Sequence, residues 1–179
     1  MLRLLNIKSF AWLAGATATL LAGGIFVISG AHAQNKEPIK IGFGQSLTGF
    51  LSPNGKQALL GAEIWRDRVN KAGGLLGRQV QLVYYDDKSS PAEVPGIYTK
   101  LLDVDKVDLV VSGYASNQVA PAMPVVIRKG KAFVSLFALD INDKFKYPKY
   151  FSVLPTGPNT KTSFTEGFFD VAAQQKPKP

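Results

Sequence analysis

VDLVVSGYASNQVAPAMPVVIRKGKAFVSLFALD, at residues 107–140, predicts a strand, a loop of small residues, a helix, a second strand and a polar loop in succession. The apolar runs at 107–111 and 132–136 have the composition of buried strands. Between them, residues 117–128 carry apolar side chains at helical spacing, and Gly130 follows as a helix stop. A strand–helix–strand unit crosses over right-handed and leaves its strands parallel. The loops after both strands therefore open at one edge of the sheet, where open α/β sheets bind ligands.

The same alternation of strand and helix continues on both sides of this unit. A polar loop is predicted at 137–148 and a turn at 156–160. Strands that alternate with helices predict a doubly wound α/β fold with a mostly parallel sheet. The further predicted elements are strands at 39–44, 80–85 and 150–153 and helices at 56–72, from Pro91 onward and at 161–174.

The composition excludes several kinds of chemistry. One domain is expected for 179 residues, and an apolar fraction of 46% is ample for a packed core. The sequence contains no cysteine, which excludes a disulfide framework, a thiolate metal site and a cysteine nucleophile. Its one histidine, His32, lies in a segment that we expect to be removed, so neither a histidine-based triad nor a zinc site is expected. We expect no metal and no cofactor.

The chain is basic, with a formal net charge of +8 that becomes +6 without Arg3 and Lys8. A basic chain raises the question of nucleic-acid binding. The lysines and arginines are scattered singly among acidic residues, which indicates a solvated basic surface. No nucleic-acid partner is therefore expected.

Residues 1–33 have the layout of a secretory signal peptide. Arg3 and Lys8 precede residues 10–28, which contain no charged side chain, and the sequence AHA at 31–33 matches a small-residue cleavage pattern. An uncleaved anchor is the alternative, because the apolar run is almost long enough to span a bilayer. Two consecutive glycines and the lack of charges after the run favour cleavage. We therefore predict a signal peptide at 1–33, export, and location in a bacterial periplasm.

Two patterns that suggest nucleotide or metal chemistry lack its defining residues. Glycines follow the first strand, but their spacing is neither G-x-G-x-x-G nor that of a P-loop. Asp86 and Asp87 end the second strand and could be metal ligands, yet no partner acid stands at the end of the first strand. Acidic residues in such places are common turn and capping residues, and we interpret this pair in that way.

Small polar residues follow three of the predicted strands. Each set precedes a helix or a turn, where free backbone N–H groups and a positive dipole end favour an anion. Hydroxyl donors beside such amides suit a carboxylate ligand, although a single serine there is equally suited to capping the helix. None is a nucleophile with a base beside it, so binding is favoured over catalysis and no enzyme is predicted. The candidates are Ser46 and Thr48 after the first strand, Tyr114, Ser116 and Asn117 after the third, and Ala138 and Asp140 after the fourth.

The order of these pieces resembles bacterial periplasmic solute-binding proteins of the leucine/isoleucine/valine-binding type. The motifs that carry the resemblance are the S-x-x-G loop at Ser46–Gly49, Gly61 with Glu63-Ile64 in the helix, N-x-x-G-G-x-x-G at Asn70–Gly77, and a strand that ends at Tyr85–Asp87. The resemblance extends over nearly all of residues 39–167.

The resemblance implies a type I architecture in which two α/β lobes close on a small ligand and deliver it to the membrane permease of an ABC transporter. Residues 34–179 correspond to an incomplete N-terminal lobe, with the second lobe largely absent. The family's carboxylate-binding serine falls on Ser116, and its alanine that contributes backbone falls on Ala138. Its next threonine, a partner of both carboxylate and ammonium, falls on Leu139, which offers no hydroxyl.

Two functional hypotheses follow from this resemblance, and a third comes from a different class of protein. The first is a receptor of an ABC importer that binds a branched-chain amino acid or a related amide or aromatic acid. Phe137 and Leu139 would suit an apolar or aromatic ligand body. The second is the ligand-sensing domain of a receptor or regulator with the same fold. The third, an exported α/β enzyme, lacks a paired nucleophile and base.

Overall fold

The computed structural model describes residues 37–154 and 162–175. The predicted signal peptide at 1–33 and the predicted turn at 156–160 lie outside the described residues. Among the helices of these two ranges, none has the length and apolar character needed to cross a membrane.

The described residues form one parallel sheet with helices between its strands. The strand order is β2-β1-β3-β4-β5, so the direction of winding reverses between β1 and β3. The strands are β1 Ile39–Gln45, β2 Val80–Asp86, β3 Leu109–Val111, β4 Phe133–Ser135 and β5 Tyr150–Ser152. The helices are α1 Ser52–Lys71, α2 Val94–Asp103, α3 Ser116–Arg128, α4 Ile141–Phe145 and α5 Ser163–Gln174. The predicted doubly wound α/β fold is confirmed.

Two predicted elements differ from the structure. The stretch at 137–148 was expected to be a loop, but it contains the five-residue helix α4. Helix α1 begins at Ser52 instead of residue 56, because Pro53 suits the first turn of a helix, where its missing N–H costs no hydrogen bond. The predicted start of this helix at residue 56 was therefore wrong, and the earlier start brings Asn54 onto the helix.

The main core lies between the sheet and the helices α2 and α3. Tyr98 and Leu101 of α2 and Met123 of α3 pack with Phe133 of β4, and all four are at most 1% exposed. The ring of Tyr98 meets that of Phe133 edge-on, with 5.6 Å between centroids. Full burial of a side chain such as Phe133 contributes about 1.5–3 kcal/mol. This layer fixes β3 and β4 side by side, and their loops carry most of the candidate site.

The opposite face of the sheet is covered by α1 over the first two strands. Ile39, Ile41 and Val80 are buried there, with Val69 of α1 packed against them. The apolar face of α1 is only half-buried: Ala58, Leu59, Ala62 and Val69 are partly exposed, and Trp65 is 41% exposed. A cavity of about 500 Å³ lies between this helix and the sheet. Leu109 of β3 and Phe151 of β5 are also about half exposed to solvent.

Candidate functional site

The candidate site lies at the carboxyl ends of β1, β3 and β4, where the sheet reverses its winding. In open α/β sheets this reversal separates the neighbouring loops and leaves a crevice for ligands. The predicted candidates follow these three strands, so the topology brings their loops to one edge.

The loops after β3 and β4 run side by side beyond the sheet. The backbone N–H of Leu136 donates to Ser112 Oγ at 3.1 Å, and Tyr114 then pairs with Phe137 as a parallel bridge. Two residues farther along each loop, the N–H of Leu139 donates to Ser116 Oγ at 2.9 Å. The structure therefore brings Ser116 and Leu139 together, and it places Tyr114 directly beside Phe137.

The first turn of α3 presents a set of backbone donors at this edge. The residue before it, Ala115, has a φ of +79° and a ψ of 147°, a conformation that side-chain-bearing residues rarely adopt and that costs about 1–3 kcal/mol. No side chain caps this helix. The N–H groups of Ser116 and Asn117 have no partner within the helix, because the first N–H groups of any helix lack one. Ser116 is half-buried and Asn117 is exposed, so this end of the helix can accept an anion.

A cavity of about 550 Å³ opens beside these loops. The rings of Tyr114 and Phe137 form one wall, with centroids 5.3 Å apart and an angle of 47° between the planes. The first turns of α1 form the other wall, and Asn54 Nδ2 donates to the Tyr114 hydroxyl at 2.9 Å. None of the side chains that line the cavity is charged: Pro53, Asn54, Gln57, Ala58, Tyr114 and Phe137.

Asn54 was missed in the sequence because the helix was predicted to begin only at residue 56. The signal that could have pointed to Asn54 is Gly55, the next residue in the sequence. A Cβ on Gly55 would lie 1.9 Å from the carbonyl oxygen of Ser46, so only glycine lets the first turn of α1 approach the end of β1 so closely. The close approach holds Asn54 against Tyr114.

The two candidates after β1 contact protein carboxylates. Ser46 is fully buried, and its Oγ donates to Asp87 Oδ1 at 2.6 Å. Thr48 is exposed, and its Oγ1 donates to Asp86 Oδ2 at 2.7 Å. The structure thus places Ser46 and Thr48 in a cluster that ties the loop after β1 to the loop after β2. Their role in ligand binding remains a prediction.

The two aspartates act as turn residues, as the sequence indicated. Asp86 Oδ1 accepts the N–H of Lys88, and Asp87 Oδ1 accepts the N–H of Ser89. Within the two described ranges there is no group of three or more His, Cys, Asp or Glu residues that could hold a metal ion.

The environments of the two carboxyl groups shift their pKa values in opposite directions. Burial raises the pKa of Asp87, which is 1% exposed, and the hydrogen bonds from Ser46 and Ser89 only partly offset this effect. At Asp86 slight burial also acts to raise the pKa, but hydrogen bonds from Thr48 and from three backbone N–H groups outweigh it and hold the pKa below its ordinary value. The Asp87 carboxyl therefore binds its proton more tightly than a free aspartate.

The three candidates after β4 have different surroundings. Ala138 is buried, and Leu139 is 37% exposed beside Ser116. Asp140 has a φ of +53° and precedes α4. Its side chain lines a separate cavity of about 220 Å³, together with Asn142 and Tyr150. Asp140 is therefore not among the residues that line the larger cavity.

Residues 38–178 match the family described as periplasmic binding protein, and the chain belongs to this family. The family consists of solute-binding proteins, which are not enzymes. The prediction of a non-enzymatic solute-binding family is confirmed.

Similar proteins include binding proteins for amino acids. The Leu/Ile/Val-binding protein of Rhizobium johnstonii is 34% identical over 119 residues, which cover 66% of this chain and 31% of that protein. The amino acid binding protein of Pseudomonas aeruginosa is 29% identical over 111 residues, which cover 62% of this chain and 30% of that protein. The chain thus spans about a third of the length of these relatives.

Solved structures show the same architecture. The branched-chain amino acid transporter substrate-binding protein LivJ from Streptococcus pneumoniae, in complex with isoleucine, has a TM-score of 0.60 and 32% identity, with 64% of this chain and 33% of that chain covered. A solute-binding protein of an ABC transporter from R. palustris, in complex with benzoate, has a TM-score of 0.58 and 24% identity. The match covers 64% of this chain and 32% of that chain. The second likeness shows the fold alone.

Proposed function

We propose that this chain forms part of an extracytoplasmic solute-binding receptor for an ABC importer. Its ligand is a small molecule with a carboxylate: a branched-chain amino acid, or a related amide or aromatic acid. The observation that carries the proposal is the contact between Ser116 Oγ and the N–H of Leu139, at the open first turn of α3 and next to the cavity at Tyr114. The Leu/Ile/Val-binding relatives and the isoleucine complex of the structural neighbour support it.

In the proposed mechanism, a ligand carboxylate replaces the internal contact at Ser116. In the described conformation Ser116 Oγ accepts the Leu139 N–H at 2.9 Å. When a carboxylate oxygen enters, that N–H can donate to it, and the Ser116 hydroxyl can rotate and donate as well. The backbone N–H groups that begin α3 add to these donors, and the positive end of the helix favours the negative charge. These donors thus stabilise the carboxylate without a lysine or an arginine.

Closure and delivery extend the proposal to the whole receptor. The second lobe would close over the ligand, and the ligand would shift the population toward the closed state through its higher affinity for that state. The closed receptor would then dock on a membrane permease. Export to the periplasm is part of the proposal, and the signal-peptide pattern at residues 1–33 supports it.

Thermal denaturation of the purified full chain with a ligand panel tests the proposal. The panel contains branched-chain amino acids, short amides and aromatic carboxylates. A ligand at roughly 100 times its Kd stabilises the folded state by about 2.7 kcal/mol, which raises the Tm by several degrees. We expect Ser116→Ala to lower this shift, and Ser90→Ala, in the loop after β2, to leave it unchanged. A panel in which no ligand raises the Tm would contradict the proposal.

A further inference from the structure

We propose that this chain carries a basic surface patch that docks on the anionic headgroups of phospholipids. The patch lies at the amino edge of the sheet, where β3, β4 and β5 begin. Because all the strands are parallel, the candidate ligand site lies at the opposite edge, at their carboxyl ends. The inference therefore goes beyond the proposed function and does not depend on it. The basic patch consists of Lys106, Arg128, Lys129, Lys131, Lys146 and Lys149.

The fold ties together two turns that carry cations. Tyr147 Oη donates to the carbonyl oxygen of Lys131 at 2.8 Å, and Lys149 Nζ donates to that of Gly130 at 3.0 Å. The N–H of Phe133 donates to the carbonyl oxygen of Lys149 at 2.9 Å. The turn before β4 and the turn before β5 therefore lie side by side, and their lysines form one surface.

The end of α3 and the turn before β3 add the other cations. Lys129 Nζ forms an ion pair with Asp103 Oδ1 at 2.5 Å. The hydrogen bond from Lys129 is the main cause that holds the pKa of Asp103 below its ordinary value, and the charges of Lys106 and Arg128 add to this effect. Three cations of the basic patch thus surround one carboxylate.

Neighbouring acidic residues do not neutralise the basic patch. Among the described residues just before β3, three acids lie beside it: Asp103, Asp105 and Asp108. Asp105 Oδ2 accepts the hydroxyl of Tyr85, and Asp108 Oδ2 accepts the N–H of Lys40. The six cations outnumber these three acids, so the surface keeps a positive charge.

Helix dipoles account for only part of the basic patch. Arg128 and Lys129 end α3, where cations offset the negative end of the helix. Lys131 and Lys149 lie outside the helices and strands, and Lys146 follows α4 with a φ of +51°. Lys131 is half-buried, whereas the other five cations are exposed. These positions leave their charged groups available to a partner.

Two observations favour a membrane surface over an acidic protein as that partner. Val104, beside the basic patch, is 69% exposed, and Leu109, at the start of β3, is 47% exposed. Cations next to exposed apolar side chains suit the boundary between headgroups and acyl chains. In addition, β1 begins at this edge, so the predicted signal peptide at 1–33 leads into the fold on the side of the basic patch. A chain held at the membrane during export would turn these cations toward anionic headgroups.

Binding of the full chain to lipid vesicles tests the inference. Vesicles of phosphatidylcholine alone measure the contribution of the apolar segment at residues 10–28, and vesicles that also contain phosphatidylglycerol add the anionic headgroups. We expect binding to the anionic vesicles to be about tenfold tighter or more. High salt should remove the difference, because salt screens exposed charges.

Two double variants of equal net charge separate the basic patch from the overall charge. Lys131→Gln/Lys146→Gln removes two cations of the basic patch. It should weaken binding to the anionic vesicles by about tenfold or more, because each cation near such a surface contributes about a fivefold factor. The control is Lys56→Gln/Lys88→Gln, which changes the first turns of α1 and the loop after β2, toward the carboxyl edge. We expect the control to bind as the wild type does.

The possible results decide between a lipid surface and the alternatives. Equal binding of the wild type to the two kinds of vesicle would overturn the inference, and so would equal losses in the two double variants. Saturable binding of polyglutamate without binding to the anionic vesicles would assign the basic patch to an acidic polypeptide and would also overturn it. None of these outcomes bears on the proposed ligand binding at Ser116.

Discussion

Two glycines in helix α1 should respond to alanine in opposite ways. Gly55 lies in the first turn, and a Cβ there would stand 1.9 Å from the carbonyl oxygen of Ser46, far inside the 3.4 Å at which ordinary contact begins. That oxygen belongs to the backbone, so no side-chain rotation can relieve the clash. The first turn of α1 and the end of β1 must therefore move apart. Gly61, six residues later on the same helix, has no atom within 4 Å of the position of a Cβ.

The expected magnitudes follow from these surroundings. Overpacking of this kind costs about 1–3 kcal/mol, and a backbone contact places Gly55→Ala at the upper end or beyond. Gly61→Ala should instead stabilise the protein by about 0.5–1 kcal/mol, because alanine loses less conformational entropy than glycine when a helix forms. Gly61→Ala is therefore the matched control for the change of residue type.

Urea denaturation followed by circular dichroism measures both effects. We expect a lower midpoint for Gly55→Ala and a slightly higher midpoint for Gly61→Ala, with similar slopes. Gly55→Ala should also weaken ligand binding, because Asn54 would lose its contact with Tyr114. Equal midpoints for Gly55→Ala and the wild type would refute the claim that the close approach to Ser46 sets the position of α1.

Two other predictions concern stability. Phe133→Ala should lower the free energy of unfolding by about 3–5 kcal/mol, because Phe133 is fully buried between Tyr98 and Tyr150. Urea denaturation measures this loss, and a loss below about 1 kcal/mol would contradict the place of Phe133 in the core. Burial raises the pKa of Asp87 in the folded state, so its ionisation should lower the stability as the pH rises from the ordinary aspartate range through that raised pKa. Asp87→Asn should lack this decrease, and parallel pH profiles of unfolding free energy for the two proteins would contradict the assignment.

Much of the fold could be predicted because its signals are local. The apolar runs of β1, β3 and β4 and the helical spacing in α3 are each visible within a short window of sequence. Helix α4 was missed because five residues are too few to show a helical period. The residue before it, Asp140, has a left-handed backbone conformation, which is not typical of a helix start.

The candidate site was harder to predict, because its contacts join distant parts of the chain. The buried hydroxyl of Ser46 meets Asp87, which lies 41 residues away in sequence. Asn54 reaches Tyr114 across 60 residues. Local patterns carry no information on such pairs. The contact of Ser116 with Leu139 follows from a parallel strand pair, and that pairing was predictable from the strand–helix–strand unit.

The most direct test of the proposed carboxylate site is a titration followed by the backbone amide NMR signals of the ¹⁵N-labelled full chain. The ligands are 3-phenylpropanoate and its amide, 3-phenylpropanamide, which share the ring and differ in charge. The account predicts saturable shifts of the Ser116, Asn117 and Leu139 amides with the carboxylate, and much smaller shifts with the amide. Saturable binding of the carboxylate that leaves these three amides unmoved would contradict it.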